Sequence, residues 1–493
     1  MTTVAELLRR RAGTDATALR FGDGAWTYRD QLDEARRRAA LFEELRDDDR
    51  PPHIGVLLDN VPEYIFWLSA AALSGSVIVG INSTYRGEQL GQLIRHTDCQ
   101  VLVTARGFEP LLAGGPPGIL PDRVLLVDDP DFTSRLPAPD EGEHERSVSE
   151  EDLFLLIFTS GSTGLPKAVR CTQGRLARTG AHVATIAPLG EEDVIYSPLP
   201  FFHSSSLFTG WSAAFTAGIP ISTRARFSAS NTLPDVRRFG ATMLTYTGKV
   251  LNYILATPEQ PDDAESPLRL AIGNEASSRD IREFARRFGC AVRDSYGSTE
   301  GIIIIRRDPS MPEGALGTAD PTVKVLDPET GVECPPVAFA SDGRPANLEQ
   351  AVGEIVETAP TSGFEGYYRN DDATAARFRG GWYWSGDLAS GTATGGCTSR
   401  AGPTSGCAWT ARTSPPPPSR RSSAGTPTSA RWRYTPCPTT PSAIGSWSRS
   451  SCATAPGSTP PSSTGSSPAS PTSAPSGCRR SCRPRPSCPS WPA

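Results

Sequence analysis

From Ser390 to Ala493 the chain contains no Asp, Glu, Lys, Leu, Val or Phe, yet it contains eleven arginines. A stretch of that composition has too little aliphatic surface to offset the entropy of ordering its backbone. The run Pro415-Pro416-Pro417-Pro418 and the Ser/Thr/Pro/Gly-rich residues after it show neither helical nor strand periodicity. The near-balance of 49 basic and 54 acidic residues over 493 therefore conceals a split. The tail carries +11 and the remainder −16, so a folded body is expected at 1–388 and a disordered, low-complexity tail at 389–493. The overall balance argues against a dedicated nucleic-acid binder.

The body holds Cys99, Cys171, Cys290 and Cys334, too few and too scattered for a disulfide scaffold, which fits a reducing compartment. The other seven cysteines lie in the tail, where their spacings form no paired CxxC metal set. The first residues lack the layout of a signal peptide and read as an amphipathic helix. One apolar run, Tyr64 to Ile81, approaches membrane-spanning length, but Ser69, Ser74, Gly75 and Ser76 interrupt it. It reads better as a buried helix followed by the strand Val77–Ile81.

Short β-rich runs alternate with helical patterns. Ile54–Leu58 reads as a strand, Val61–Ala72 as a helix, Val77–Ile81 as a strand, Gly87–His96 as a helix and Val101–Val103 as a strand. That alternation predicts βαβ units around a parallel sheet. Residues 110–149 read as loops around one strand, Val124–Val127. Alternation resumes to about Gly289, and a turn-rich, β-like segment follows from Ala315 to Val356.

The strongest chemical signal is Thr159-Ser160-Gly161-Ser162-Thr163-Gly164-Leu165-Pro166-Lys167, directly after the apolar run Phe154–Phe158. Small residues let backbone N–H groups approach phosphate oxygens, hydroxyls add donors, and a lysine adds a point charge. The chain has three lysines against 46 arginines, and one of them closes this loop. The spacing is not that of a Walker A loop.

This string resembles the phosphate-binding loop of the adenylate-forming enzymes: acyl-CoA synthetases, luciferases and peptide-synthetase adenylation domains. Further motifs appear in that family's order. They are Pro198-Leu199-Pro200-Phe201-Phe202-His203, Asp294-Ser295-Tyr296-Gly297-Ser298-Thr299-Glu300, and Gly366-Tyr367-Tyr368-Arg369-Asn370 with the run Ala373 to Phe378, which lead into Trp382-Tyr383-Trp384-Ser385-Gly386-Asp387-Leu388. The resemblance covers roughly Val4 to Leu388 and implies an α/β large domain of two βαβ subdomains plus a β-rich one. Where many members carry a Gly-Gly-Ala-like turn, this chain has Gly273-Asn274-Glu275-Ala276, which resembles the very-long-chain and fatty-acid-transport branch.

The resemblance also implies roles. Lys167 and the loop Thr159–Gly164 would hold the β- and γ-phosphates of ATP, and Glu300, with Thr163, would bind Mg²⁺. Thr299 would contact the α-phosphate, Tyr296 would stack on adenine, and Asp387 would accept hydrogen bonds from the ribose. Gly273, Asn274, Glu275, Ser295, Gly297 and Ser298 would complete the nucleotide site, and His203 would border the acyl pocket. Taken singly, each has a plain structural reading: Glu300 a helix-start acid, Asp387 a turn former, Tyr296 a core aromatic, His203 a satisfied loop histidine.

The implied activity is that of an acid–thiol ligase: a fatty acid and ATP give acyl-AMP, and coenzyme A then gives acyl-CoA. Two alternatives stay open: a fatty acyl-AMP ligase that loads a carrier protein, and a non-catalytic nucleotide- or acyl-binding remnant. The expected setting is cytoplasmic, with room for peripheral membrane contact and for a homodimer. The family also has a small C-terminal domain that begins with an Asp-Gly…Gly-Arg hinge and ends in a catalytic lysine. No lysine follows Lys324 here. Joining the last base of each codon to the first two of the next permits a hinge-like string from Ser390 onward. Trp409 has a single codon, and its final G joined to the AC of Thr410 can only encode Asp, where the string needs it. A shifted reading frame near codons 388–390 is therefore expected, and the chain as written is expected to bind ATP–Mg²⁺ and acid but adenylate poorly.

Overall fold

The computed structural model describes residues 2–391 except 113–117, 140–141, 160–165, 308–314, 342–343 and 362. The tail expectation thus falls almost wholly outside the described residues, all of which belong to one unit, Met1–Ser419.

A six-stranded sheet runs in the order Val124–Leu126, Val101–Thr104, His53–Leu57, Val77–Gly80, Leu153–Thr159, Lys167–Thr172. Its first five strands are parallel and the last is antiparallel. An eight-stranded sheet runs Ile304–Arg306, Ala291–Gly297, Leu270–Asn274, Met243–Thr247, Ile195–Tyr196, Ile221–Thr223, Thr17–Phe21, Gly24–Thr27, parallel apart from its two edge strands. A third, antiparallel sheet joins Val323–Leu326, Val352–Glu357, Trp382–Ser390 and Phe378–Arg379. The parallel βαβ layers expected from the alternation are observed, and so is the arrangement the resemblance implied, two such layers plus a β-rich part.

The apolar run at Tyr64–Ile81 becomes helix Pro62–Ser74 and strand Val77–Gly80. Proline at its start needs no N–H partner, and Gly75 at φ 70° stops the helix in the left-handed region. The helix is buried on nearly every face because it shares one core with both parallel sheets: Ile65, Trp67 and Leu68 pack with Ile54, Val103 and Ile157 of one and Leu19, Ile195 and Met243 of the other. Burying each such side chain stabilises by roughly 1.5–3 kcal/mol. Among the described residues no helix is long and apolar enough to cross a membrane.

Helix Gly87–His96 buries Leu90, Leu93 and Ile94, the spacing of one helical face. Val4–Arg11 opens with a capping box between Thr3 and Glu6 and buries Val4, Ala5, Leu7 and Leu8. The stretch read as loops around Val124–Val127 also holds two 3₁₀ segments and the short helix Phe132–Arg135. Its Pro and Asp residues obscured these, because turns shorter than two helical periods leave no periodic signal. Cys99, Cys171, Cys290 and Cys334 are free. Burial pushes the Cys99 and Cys171 thiols up to about 12, which leaves them inert.

Candidate active-site cleft

Parallel strands deliver their C-terminal ends to one edge, and open α/β sheets place ligands there. Here both parallel sheets and the antiparallel sheet border a single cleft of about 2270 Å³. Each described residue given a role in the sequence lines it: Thr159, Lys167, His203, Gly273, Asn274, Glu275, Ser295, Tyr296, Gly297, Ser298, Thr299, Glu300 and Asp387. Ser160, Gly161, Ser162, Thr163 and Gly164 lie outside the described residues.

At one end the hairpin of strands Leu153–Thr159 and Lys167–Thr172 sets Thr159 opposite Lys167. The Lys167 ammonium lies 5.2 Å from the centre of the Tyr367 ring. Burial lowers its pKa, the neighbouring Arg377 lowers it further, and Glu300 opposes both. Glu300 is 5% exposed, and its Oε1 accepts a hydrogen bond from the Tyr367 hydroxyl at 2.6 Å. Arg175, itself buried, donates to the carbonyls of Thr299 at 2.5 Å, Glu300 at 2.8 Å and Arg170 at 2.7 Å. The Thr299 hydroxyl pairs with that of Ser204 at 2.9 Å.

At the other end, Gly273 and Asn274 pair in parallel register with Asp294 and Ser295. A Cβ at Gly273 would meet the Tyr246 carbonyl oxygen at 2.1 Å, so only glycine fits. Glu275 follows at φ 65°, a strained conformation for a residue with a side chain. The turn is braced by Asp294, which accepts from Ala276 N and the Tyr246 hydroxyl, each at 3.0 Å. Burial raises the Asp294 pKa against these hydrogen bonds. The Asn274 side-chain oxygen is buried without a hydrogen-bond partner among the described residues.

Tyr296 donates its hydroxyl to Asp387 Oδ2 at 2.6 Å. The side chain expected only to stack on a base therefore also orients the acid expected to hold ribose, and it occupies one of that acid's oxygens. Burial, then the Asp387 charge, pushes the Tyr296 phenol above its ordinary pKa, so it stays a donor.

His203 is open to the cleft, 4.5 Å from the Phe202 ring between centroids. The surrounding protein holds its pKa below the ordinary histidine value, which keeps it neutral at pH 7. A π-helical turn, Ser206–Trp211, follows it, a geometry common at functional sites. Val183, Ile186, Phe208, Phe227 and Val250 extend the cleft as an apolar arm, with Arg178 and His182 on the same face of helix Gln173–Ile186.

Sequence reasoning missed Arg175 and the role of Arg377, which lay inside the quoted run Ala373 to Phe378. Among 46 arginines Arg175 carries no local signal, and nothing in the run around Arg377 shows what its guanidinium reaches. Tyr367 stood within a quoted motif, but its partner Glu300 is 67 residues away.

The donor set suits the expected cofactors. Among the described residues no three His, Cys, Asp or Glu gather as a metal cage. One buried carboxylate is nonetheless what Mg²⁺ needs when phosphates and water supply its other ligands.

The profile of the AMP-binding enzyme family matches residues 8–368. The chain is 46% identical over 397 residues to steroid-22-oyl-CoA synthetase of Rhodococcus jostii (strain RHA1), covering 78% of this chain and 70% of that protein. It is 42% identical over 388 residues to the medium/long-chain-fatty-acid–CoA ligase FadD17 of Mycobacterium tuberculosis (strain ATCC 25618 / H37Rv), covering 78% and 73%. In fold it is similar to ATP-bound MatB from Rhodopseudomonas palustris, with TM-score 0.67 at 22% identity over 80% of this chain and 78% of that one. The N-terminal domain of FACL13 from Mycobacterium tuberculosis gives TM-score 0.65 at 20% identity over 80% and 99%. With the profile spanning most of its length and the motif residues drawn into one cleft, the chain belongs to the family of AMP-binding enzymes.

Proposed function

We propose that the chain is an acid–thiol ligase that activates a medium- or long-chain fatty acid with ATP, Mg²⁺ and coenzyme A. The acid's carboxylate attacks the α-phosphorus, an acyl–O–P bond forms, and the bond to the β-phosphate breaks to release pyrophosphate. The coenzyme A thiol then loses its proton, attacks the acyl carbon and expels AMP. The observation that carries this reading is the convergence of Lys167 and Glu300 at one end of the cleft with Tyr296, Asn274 and Asp387 at the other.

In this reading Lys167 neutralises the phosphates that leave, and Thr299 sits beside the α-phosphate. Bound Mg²⁺ would neutralise phosphate charge, with Glu300 as its protein ligand. Asp387 takes the ribose through the oxygen that Tyr296 does not occupy, and Gly273 and Asn274 border the base. Neutral His203 borders the acid without adding charge to the apolar arm. Exposed Ile186 and Tyr253 near that arm support entry of a lipid-like acid from a membrane surface.

A steroid side-chain acid is the second reading. The 46% identical relative favours it, as do Arg178 and His182, which give the arm polar contacts that a plain alkyl chain does not need. We read residues 389–493 as out of frame, and sequencing codons 380–410 decides that point: one base gained or lost supports it, and an unaltered frame overturns it.

The functional test is pyrophosphate release by the full chain with ATP, Mg²⁺ and a panel of acids, followed by thioester detection with free coenzyme A. Weak acid-dependent release is expected from the chain as written, which lacks the family's C-terminal lysine, and stronger release, greatest with long-chain acids, from the frame-corrected chain. Release only with a steroid acid selects the second reading. Release without thioester points to a carrier protein as acceptor, and ATP binding without release by a chain whose reading frame has been verified points to a remnant.

A further inference from the structure

We propose that Arg377 and Tyr367 form a positioning pair that couples the metal-facing acid Glu300 to the ribose-facing turn at Asp387. This rests on the nucleotide reading of the cleft. Arg377 ends the short helix Asp371–Arg377 and lines the cleft. Its Nε lies 3.2 Å from the Tyr367 hydroxyl, whose oxygen lies 2.6 Å from Glu300 Oε1. A guanidinium can only donate, so the hydroxyl accepts from Arg377 and spends its single proton on Glu300. The direction of the chain is thereby fixed, and the Glu300 carboxylate is held in one rotamer.

The same guanidinium reaches the other acid. Nη1 donates to the Trp384 carbonyl at 3.3 Å and to the Ser385 carbonyl. Gly386 follows at φ 80°, and a Cβ there would lie 2.3 Å from Nη1. Asp387 N then donates to Ser385 Oγ at 3.1 Å. One planar fork thus sets both the hydroxyl behind Glu300 and the backbone that presents Asp387. Lysine, with one point charge and no fork, cannot span both.

Tyr367 is itself held against the strand that carries Lys167. Arg170 N donates to the Gly366 carbonyl at 3.1 Å, and Tyr368 N donates to the Ala168 carbonyl at 2.8 Å. The Thr374 hydroxyl accepts from Tyr367 N at 2.9 Å. The pair therefore places Glu300 relative to Lys167 as well as to Asp387. Groups that orient a metal-binding carboxylate in this way affect metal affinity without touching the metal.

The test is equilibrium binding to the full chain: ATP across a Mg²⁺ titration, and adenosine without Mg²⁺. Tyr367→Phe should raise the half-saturating Mg²⁺ concentration by on the order of 10-fold and leave adenosine affinity unchanged. Arg377→Gln should raise it similarly and also weaken adenosine, and Arg377→Lys should not restore adenosine. A Tyr367→Phe chain with an unchanged Mg²⁺ midpoint overturns the proposal, as does an Arg377→Gln chain that weakens Mg²⁺ alone. If Arg377→Gln fails to fold, the Tyr367→Phe titration alone decides. A wild-type chain that binds neither ATP nor adenosine overturns the nucleotide reading, and this inference with it.

Discussion

The two ends of the cleft are built by different means. At the phosphate end, side chains hold side chains and carbonyls: Arg175 grips the Thr299 and Glu300 backbone, and Tyr367 holds the Glu300 carboxylate. At the nucleoside end, strand register does most of the placing. Gly273 and Asn274 are set by pairing with Asp294 and Ser295, and the strained Glu275 turns the chain away. The first arrangement gathers charge where a polyanion must be met. The second supplies a shaped wall in which Asp294 braces the turn and Asp387 is tied to Tyr296. A ligand with a charged end and a flat polar end requires both kinds of construction.

Three substitutions would break or sharpen that contrast. Lys167→Ala removes the phosphate-end cation, and pyrophosphate release should fall by on the order of 10²–10³-fold, the cost of losing one preorganised donor at developing charge. Adenosine binding by calorimetry should not change. Asp387→Ala should do the reverse, weakening adenosine and ATP alike by about 10- to 100-fold, the worth of hydrogen bonds to a charged group. If both substitutions weaken adenosine equally, the two ends are not separately built. The smallest effect belongs to Glu275→Gly, which relieves the positive φ and should stabilise the fold by about 1 kcal/mol in denaturant unfolding. A loss of stability there would mean that the Glu275 side chain makes contacts that outweigh its strain.

How much of this was legible beforehand follows from the range over which each signal acts. Helix Pro62–Ser74 was readable because Gly75 and the flanking serines punctuate an otherwise apolar run. Lys167 stood out because lysine is so rare here, and the aspartate at 387 because of the tryptophan- and glycine-bearing run before it. The bond from Tyr296 to Asp387 joins residues 91 apart, and nothing in either neighbourhood announces it. The roles of Arg175 and Arg377 were invisible for the same reason: a guanidinium's role is set by the acceptors it reaches, and those come from other segments. The short 3₁₀ segments between residues 106 and 123 escaped because they are too brief to repeat a pattern.

By itself, then, the sequence determined where a core could form, which strands alternate with helices, and which chemical groups the motifs carry. Those properties depend on composition and on periods of a few residues, and they survive in the unfolded chain. Only the tertiary structure decided that Lys167 faces a tyrosine ring, that Glu300 is buried and bonded to Tyr367, and that Asp387 shares its carboxylate with Tyr296. Each of those depends on hydrogen bonds a few ångströms long between residues tens of positions apart. Such distances exist only after the three sheets have met around one cleft.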